Sequence, residues 1–130
     1  VKQEFSILIA DRNRHVRDLL KREMNAEGYR VYTAKNAQEV LKWVFSQESL
    51  DLVILDLDLP EANGICILEK INDRIPTLPV VVHSFLSDYT YHPMLLDAAG
   101  VVEKNGVSIV KLKEVVSEVL KNPKTGDWIP

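Results

Sequence analysis

Four polar residues each stand directly after a short apolar run. Ile7-Leu8-Ile9-Ala10 leads into Asp11, Leu52-Val53-Ile54-Leu55 into Asp56, Val80-Val81-Val82-His83 into Ser84, and Val101-Val102-Glu103 into Lys104. If the runs are parallel strands, their C-terminal ends share one edge, where loops and helix starts converge and ligands bind. Two carboxylates, a hydroxyl and an ammonium at such an edge can hold a hard divalent cation and a phosphoryl group, and one carboxylate can act as a nucleophile. A single polar residue at a strand end is accounted for by contact with water. A set of four, each closing an apolar run, asks for more.

The elements that must position these residues are legible as a period. Phe5 to Ala10, Tyr29 to Ala34, Leu52 to Leu55, Pro79 to Val82 and Val101 to Val102 read as strands. Between them, Val16, Leu19, Leu20 and Met24 share one helical face, Ala37, Val40, Leu41, Val44 and Phe45 a second, and Ile65, Leu68 and Ile71 a third. A last stripe runs through Leu112, Val115, Val116, Val119 and Leu120. Asn13 and Asn36 are placed to cap helix starts, Gly28 to end the first helix, and Asn122-Pro123 to stop the last. Pro93 interrupts the stretch before the fifth strand, so only a short helix starting near Pro93 is expected there. Strands that are apolar throughout belong where both sheet faces are covered, and repeated strand-helix units force parallel pairing with right-handed crossovers. The expected fold is a three-layer α/β sandwich.

Length and composition set the outer limits. The chain has 130 residues, which fits one domain, and a domain of this size buries roughly two-thirds of its unfolded surface, enough for a core without disulfide or metal staples. The single cysteine, Cys66, lies between isoleucines and is expected in the core; one thiol suits a reducing cytoplasm. Sixteen basic against nineteen acidic side chains give a net charge of −3 with no basic stripe, which argues against direct nucleic-acid binding. Apolar stretches fall well short of the roughly 18 residues that span a bilayer, so no membrane role is expected. His15, His83 and His92 are too scattered for a metal cluster, Cys66 has no evident histidine partner, and P-loop and dinucleotide glycine patterns are missing. Trp43 lies off its helix's apolar stripe and should be partly exposed.

With these residues in view, the chain resembles the receiver domains of bacterial two-component response regulators over roughly residues 5–121. The resemblance is carried by Ile7-Leu8-Ile9-Ala10-Asp11 with Arg17 and Leu19-Leu20, by Asp51-Leu52-Val53-Ile54-Leu55-Asp56-Leu57-Asp58-Leu59-Pro60 with Asn63-Gly64, by Pro79 to Ser84, and by Glu103-Lys104. The spacing from Asp56 through Pro60 to Gly64 is its most specific element. It implies a flavodoxin-like, doubly wound five-stranded parallel sheet in the order 2-1-3-4-5, with a receiver domain over 1–121 and a tail or linker start over 122–130. It further implies that Asp56 accepts a phosphoryl group from a histidine kinase or phosphotransfer protein, and that the acyl phosphate repositions the fourth and fifth strands and their helices. Asp11, Asp56 and Asp58, the last through its backbone carbonyl, would hold Mg²⁺; Ser84 and Lys104 would bind the phosphoryl oxygens. A downstream protein partner is implied, with homodimerisation open. Phosphoryl transfer is mainly positioning and charge neutralisation, which suits these residue types.

The pattern breaks in two places. The family usually has adjacent acids after its first strand, whereas this chain has Asp11-Arg12, a two-unit change in local charge expected to weaken Mg²⁺ binding. Arg12 could lie against Asp56 in the metal's place, or point to solvent, and the Asp58 side chain could supply the lost carboxylate. The family's switch aromatic is Val101 here, which cannot make an in-or-out ring movement. Lys104 precedes Asn105-Gly106 rather than proline, and the stretch from Ser84 to Lys104 is short. Tyr89, Tyr91, His92 and Met94 offer a docking surface or ordinary packing.

Two other functions compete with the phosphoryl-accepting switch. A pseudo-receiver would keep the fold and bind partners without phosphorylation, on the warrant of Arg12 and Val101. A phosphatase of haloacid-dehalogenase type would use the aspartate pair of Leu55-Asp56-Leu57-Asp58, but that motif usually opens its domain and needs a later acidic pair, whereas here a strand-helix-strand-helix stretch precedes Asp56 and Asp127 is the only aspartate after Lys104. The expectation is a switch and not an enzyme.

Overall fold

The computed structural model describes residues 4–46, 48–60, 63–86 and 92–121. Strands β1 (Ser6–Ala10), β2 (Arg30–Ala34), β3 (Leu52–Leu55), β4 (Val80–Ser84) and β5 (Gly100–Glu103) alternate with helices α1 (Arg14–Ala26), α2 (Ala37–Val44), α3 (Gly64–Asn72) and α4 (Ser108–Lys121). All pairings are parallel and the order is β2-β1-β3-β4-β5. The doubly wound sheet expected from the sequence is the one found.

Alternation along each strand sends side chains to opposite faces, and helices cover both. Leu8, Val53, Leu55, Val80 and Val82 pack with Val40 of α2 and Leu68 and Ile71 of α3. Ile7, Ile9, Ile54, Val81 and Val102 pack with Leu20 and Met24 of α1 and Leu112 and Val116 of α4. Full burial of each such side chain contributes about 1.5–3 kcal/mol. The edge strands depart from the apolar reading: β2 is buried only at Ala34 and β5 only at Val102, because each lacks a neighbour on one side.

Local chemistry sets the helix ends. Asn13 Oδ1 accepts from His15 N at 2.8 Å and Val16 N at 3.3 Å, and Asn36 Oδ1 accepts from Glu39 N at 2.8 Å. Gly28 takes φ 97° just past α1, a left-handed conformation that side chains resist. The expected short helix after Pro93 is a 3-10 helix over Pro93–Asp97.

Three packing expectations need correction. Leu19 is 37% exposed and Phe45 58%, since the first lies on the rim of its stripe and the second at the helix C-cap. Cys66 is exposed, because its isoleucine neighbours Ile65 and Ile67 take the buried positions of α3 and turn it outward. Trp43 is half-buried as expected, with its ring 4.6 Å from that of Tyr32. The Asn122-Pro123 stop, the 122–130 tail, Tyr89 and Tyr91 lie outside the described residues; His92 is exposed and Met94 half-buried.

Candidate functional site

Each candidate residue hangs on the C-terminal end of a strand. The Asp11 amide donates to Ala34 O at 3.1 Å, the Asp56 amide to Ala10 O at 2.9 Å, and the Lys104 amide to Ser84 O at 2.9 Å. The loop after β1 is tied further: Asp11 Oδ1 accepts from Asn13 N at 2.8 Å, and its carbonyl accepts from Arg17 Nη1 at 2.8 Å. Behind β3, the chain must pass close to the start of α3. A Cβ on Gly64 would run into the backbone of Leu57, so only glycine fits. That close approach explains the glycine that closes the Asp56 motif.

The four side chains meet. Lys104 Nζ lies 2.8 Å from Asp11 Oδ2 and 3.0 Å from Asp56 Oδ2; the lysine side chain is 12% exposed and each carboxylate 2%. Asp56 Oδ1 accepts from Ser84 Oγ at 3.0 Å and from Asp58 N at 3.0 Å, while Ser84 Oγ accepts from Leu57 N at 2.6 Å. The Lys104 ammonium is thus the buried cation shared by the two carboxylates, nearest to Asp11 Oδ2.

Electrostatics follow from this burial. Desolvation raises the Asp11 pKa, and the neighbouring Asp56 adds to it, against the pull of Lys104 and the Asn13 amide. Burial works to lower the Lys104 pKa, yet Asp11 and Asp56 outweigh it and hold the ammonium above its ordinary range. The lysine also sits 5.5 Å from the centroid of the exposed Phe85 ring.

Arg12 does not take the metal's place. Its side chain is exposed, and the cation between the two carboxylates is Lys104. The donor set for a hard cation is thus the buried Asp11 and Asp56 carboxylates, which now share the Lys104 ammonium. No group of three acidic, histidine or cysteine side chains set for a metal occurs among the described residues, so the Asp58 carboxylate does not complete a third. Mg²⁺ needs only one or two carboxylates, so the residues present fit it. Val101 stands 37% exposed on β5.

One residue near the site escaped the sequence reading. From the sequence His83 only closes the fourth apolar run and is too isolated for a metal cluster, yet it is buried beside the site, with Nε2 3.0 Å from Ser108 Oγ. Desolvation, then the Lys104 charge, lower its pKa to about 4, against a smaller opposing effect of Asp56. The available signal was an imidazole ending an all-valine run.

The family model for the response regulator receiver domain matches residues 7–117. The chain belongs to that family. Among curated proteins, this receiver domain is 33% identical over 124 residues to the DNA-binding transcriptional regulator NtrC of Bradyrhizobium, covering 86% of this chain and 26% of that one. It is 36% identical over 93 residues to response regulator RR06 of Streptococcus pneumoniae, covering 72% and 42% respectively. The chain therefore spans less than half the length of these curated relatives. Among solved structures, it matches response regulator TrrA of Thermotoga maritima in complex with Mg²⁺-BeF, at 32% identity and TM-score 0.82, over 89% of this chain and 99% of that one. TrrA has also been solved in complex with histidine kinase ThkA, matching at 32% identity and TM-score 0.80, over 89% and 98%. No helix among the described residues is long and apolar enough to cross a membrane.

Proposed function

We propose that this receiver domain is a phosphoryl-accepting switch, modified on Asp56 by a histidine kinase or phosphotransfer protein. The observation that carries the reading is the Asp56 carboxylate, buried between the Ser84 hydroxyl and the Lys104 ammonium with Asp11 alongside. A carboxylate oxygen of Asp56 attacks phosphorus, the bond from phosphorus to the donor nitrogen breaks, and an acyl phosphate forms. Ser84, which now donates to Asp56 Oδ1, turns its hydroxyl to a phosphoryl oxygen, and Lys104 pairs with another. Those two shifts pull on the ends of β4 and β5 and present a changed face to a downstream partner. Asp11 and Asp56, with the Asp58 carbonyl, would hold Mg²⁺, which supplies charge neutralisation for the transferring group. The TrrA complexes with Mg²⁺-BeF and with ThkA support both the ion and the kinase. Arg12 weakens that ion's binding, because a fixed positive charge replaces a negative one at the rim. The domain works in the cytoplasm and is consumed as a substrate of transfer rather than turning over a substrate of its own.

A second reading has a specific observation behind it. Lys104 already bridges both carboxylates and Arg12 adds a further cation at the rim, an arrangement that suits a partner-binding module signalling without phosphorylation. Intact mass after incubation with a small acyl phosphate separates the two. The switch gains one phosphoryl group with Mg²⁺ and none in Asp56→Asn; a protein unmodified even at high Mg²⁺ favours the second.

A further inference from the structure

The conformation of the turn after β5 decides where the Lys104 ammonium stands, and that turn has little steric support of its own. It runs through Asn105-Gly106, and a Cβ on Gly106 would meet nothing within 4 Å. Its internal bonds are Val107 N to Asn105 Oδ1 at 2.8 Å, Ser108 N to Asn105 O at 3.3 Å and Ser108 Oγ to Asn105 O at 3.1 Å. None of these ties it to the sheet. The tie comes from His83, whose Nε2 lies 3.0 Å from Ser108 Oγ, with both residues buried.

The hydroxyl of Ser108 has a second neighbour, Asn105 O, which can only accept. A serine hydroxyl has one hydrogen, and Ser108 gives it to Asn105 O. With that hydrogen on Asn105 O, we assign the His83 proton to Nε2, which donates to Ser108 Oγ and leaves the unpartnered, buried Nδ1 as an acceptor rather than a stranded N–H. The register supports the placement. His83 pairs with Val102, two residues before Lys104, and follows the Leu55↔Val82 pair, so it lies beside Asp56 under the face that carries Asp11, Asp56 and Lys104. Lys104 is thus held from both sides by β4, through Ser84 O on its own amide and through His83 on the turn that follows.

We propose that His83 is a positioning residue for Lys104: by donating to Ser108 it clamps the Asn105–Ser108 turn to β4 and sets the ammonium against Asp56, without touching the phosphoryl group itself. The proposal rests on the phosphoryl-accepting reading for its kinetic consequence, but not for its structural one.

The test uses the whole 130-residue chain and four variants: His83→Leu and Ser108→Ala, which remove the clamp from either side, their combination, and His83→Gln, which keeps a donor at similar reach. In unmodified protein, the nuclear resonance of the Lys104 ammonium should shift in His83→Leu and Ser108→Ala and stay near wild type in His83→Gln. With a small acyl phosphate and Mg²⁺, the first two should be phosphorylated roughly fivefold more slowly per folded molecule, the worth of one net hydrogen bond. The combined variant should be no slower than either, because both remove one contact. An unchanged Lys104 resonance in the single variants, or single effects that multiply in the combination, overturns the proposal. If His83→Leu does not fold, Ser108→Ala against His83→Gln carries the same comparison. If wild type takes up no phosphoryl group, the acceptor reading fails while the Lys104 resonance still decides the clamp.

Discussion

Lowering the pH should destabilise this domain through the buried imidazole of His83. The imidazole is 3% exposed, it faces the Lys104 cation and the Asp56 carboxylate, and its folded pKa is about 4 against an ordinary 6.5. Between those values the unfolded chain binds a proton that the folded chain refuses, so stability is lost as pH falls through the window and is unaffected above about pH 7. Going from pH 7.5 to 5.0, a pKa of about 4 against 6.5 corresponds to a loss of about 2 kcal/mol. His83→Gln keeps a donor toward Ser108 and removes the titration. Urea unfolding of both proteins at the two pH values should show wild type losing about 2 kcal/mol more than the variant. Asp11 works in the opposite sense: its raised pKa lets the folded chain take up a proton more readily and so gain stability as pH falls. That contribution is common to both proteins and cancels in the comparison. Equal losses would refute the buried neutral imidazole, and with it the hydrogen-bond direction assigned to His83 and Ser108.

Three further outcomes follow from the site. Lys104→Met leaves the Asp11 and Asp56 carboxylates buried without their cation, so unfolding should show a loss of roughly 3 kcal/mol near pH 7 that shrinks as the pH falls, because burial already raises the Asp11 pKa; a loss independent of pH would contradict the ion-pair geometry. Arg12→Asp places a carboxylate where a cation stands, so titration calorimetry should show tighter Mg²⁺ binding, by about tenfold or more, and no change would mean that the exposed arginine is electrostatically silent. Gly64→Ala forces a methyl group into the Leu57 backbone, and thermal unfolding should report a loss of about 1–3 kcal/mol, against little change for Gly106→Ala, whose Cβ would meet open space.

The parts of the fold that were legible in the sequence are those ruled by period and punctuation. Apolar runs gave β1, β3 and β4 because these strands are covered on both faces, and Asn13, Asn36 and Gly28 marked helix ends because their caps are local. Residues at element margins were harder. Leu19, Phe45 and Cys66 have apolar character in a helical setting, but their exposure depends on which neighbour wins the buried position, a matter of rotation by a fraction of a turn. The convergence of Asp11, Asp56, Ser84 and Lys104 was legible because parallel topology sends all strand ends to one edge. That Lys104 rather than Arg12 bridges the two carboxylates was not, since it depends on the reach of a side chain from β5 and on the turn that orients it. His83 stayed hidden for a related reason: its partner Ser108 is 25 residues away, and their pairing exists only once α4 packs on β4.

The most direct test of the whole account is to trap the acyl phosphate chemically and find which residue bears it. The protein is incubated with a small acyl phosphate and Mg²⁺, reduced with borohydride, which converts an acyl phosphate to an alcohol, and digested for peptide mass analysis. Reduction is expected at Asp56 alone, with Asp11 and Asp58 unchanged. Label at either of those residues, or none at any of them in folded protein, would contradict it.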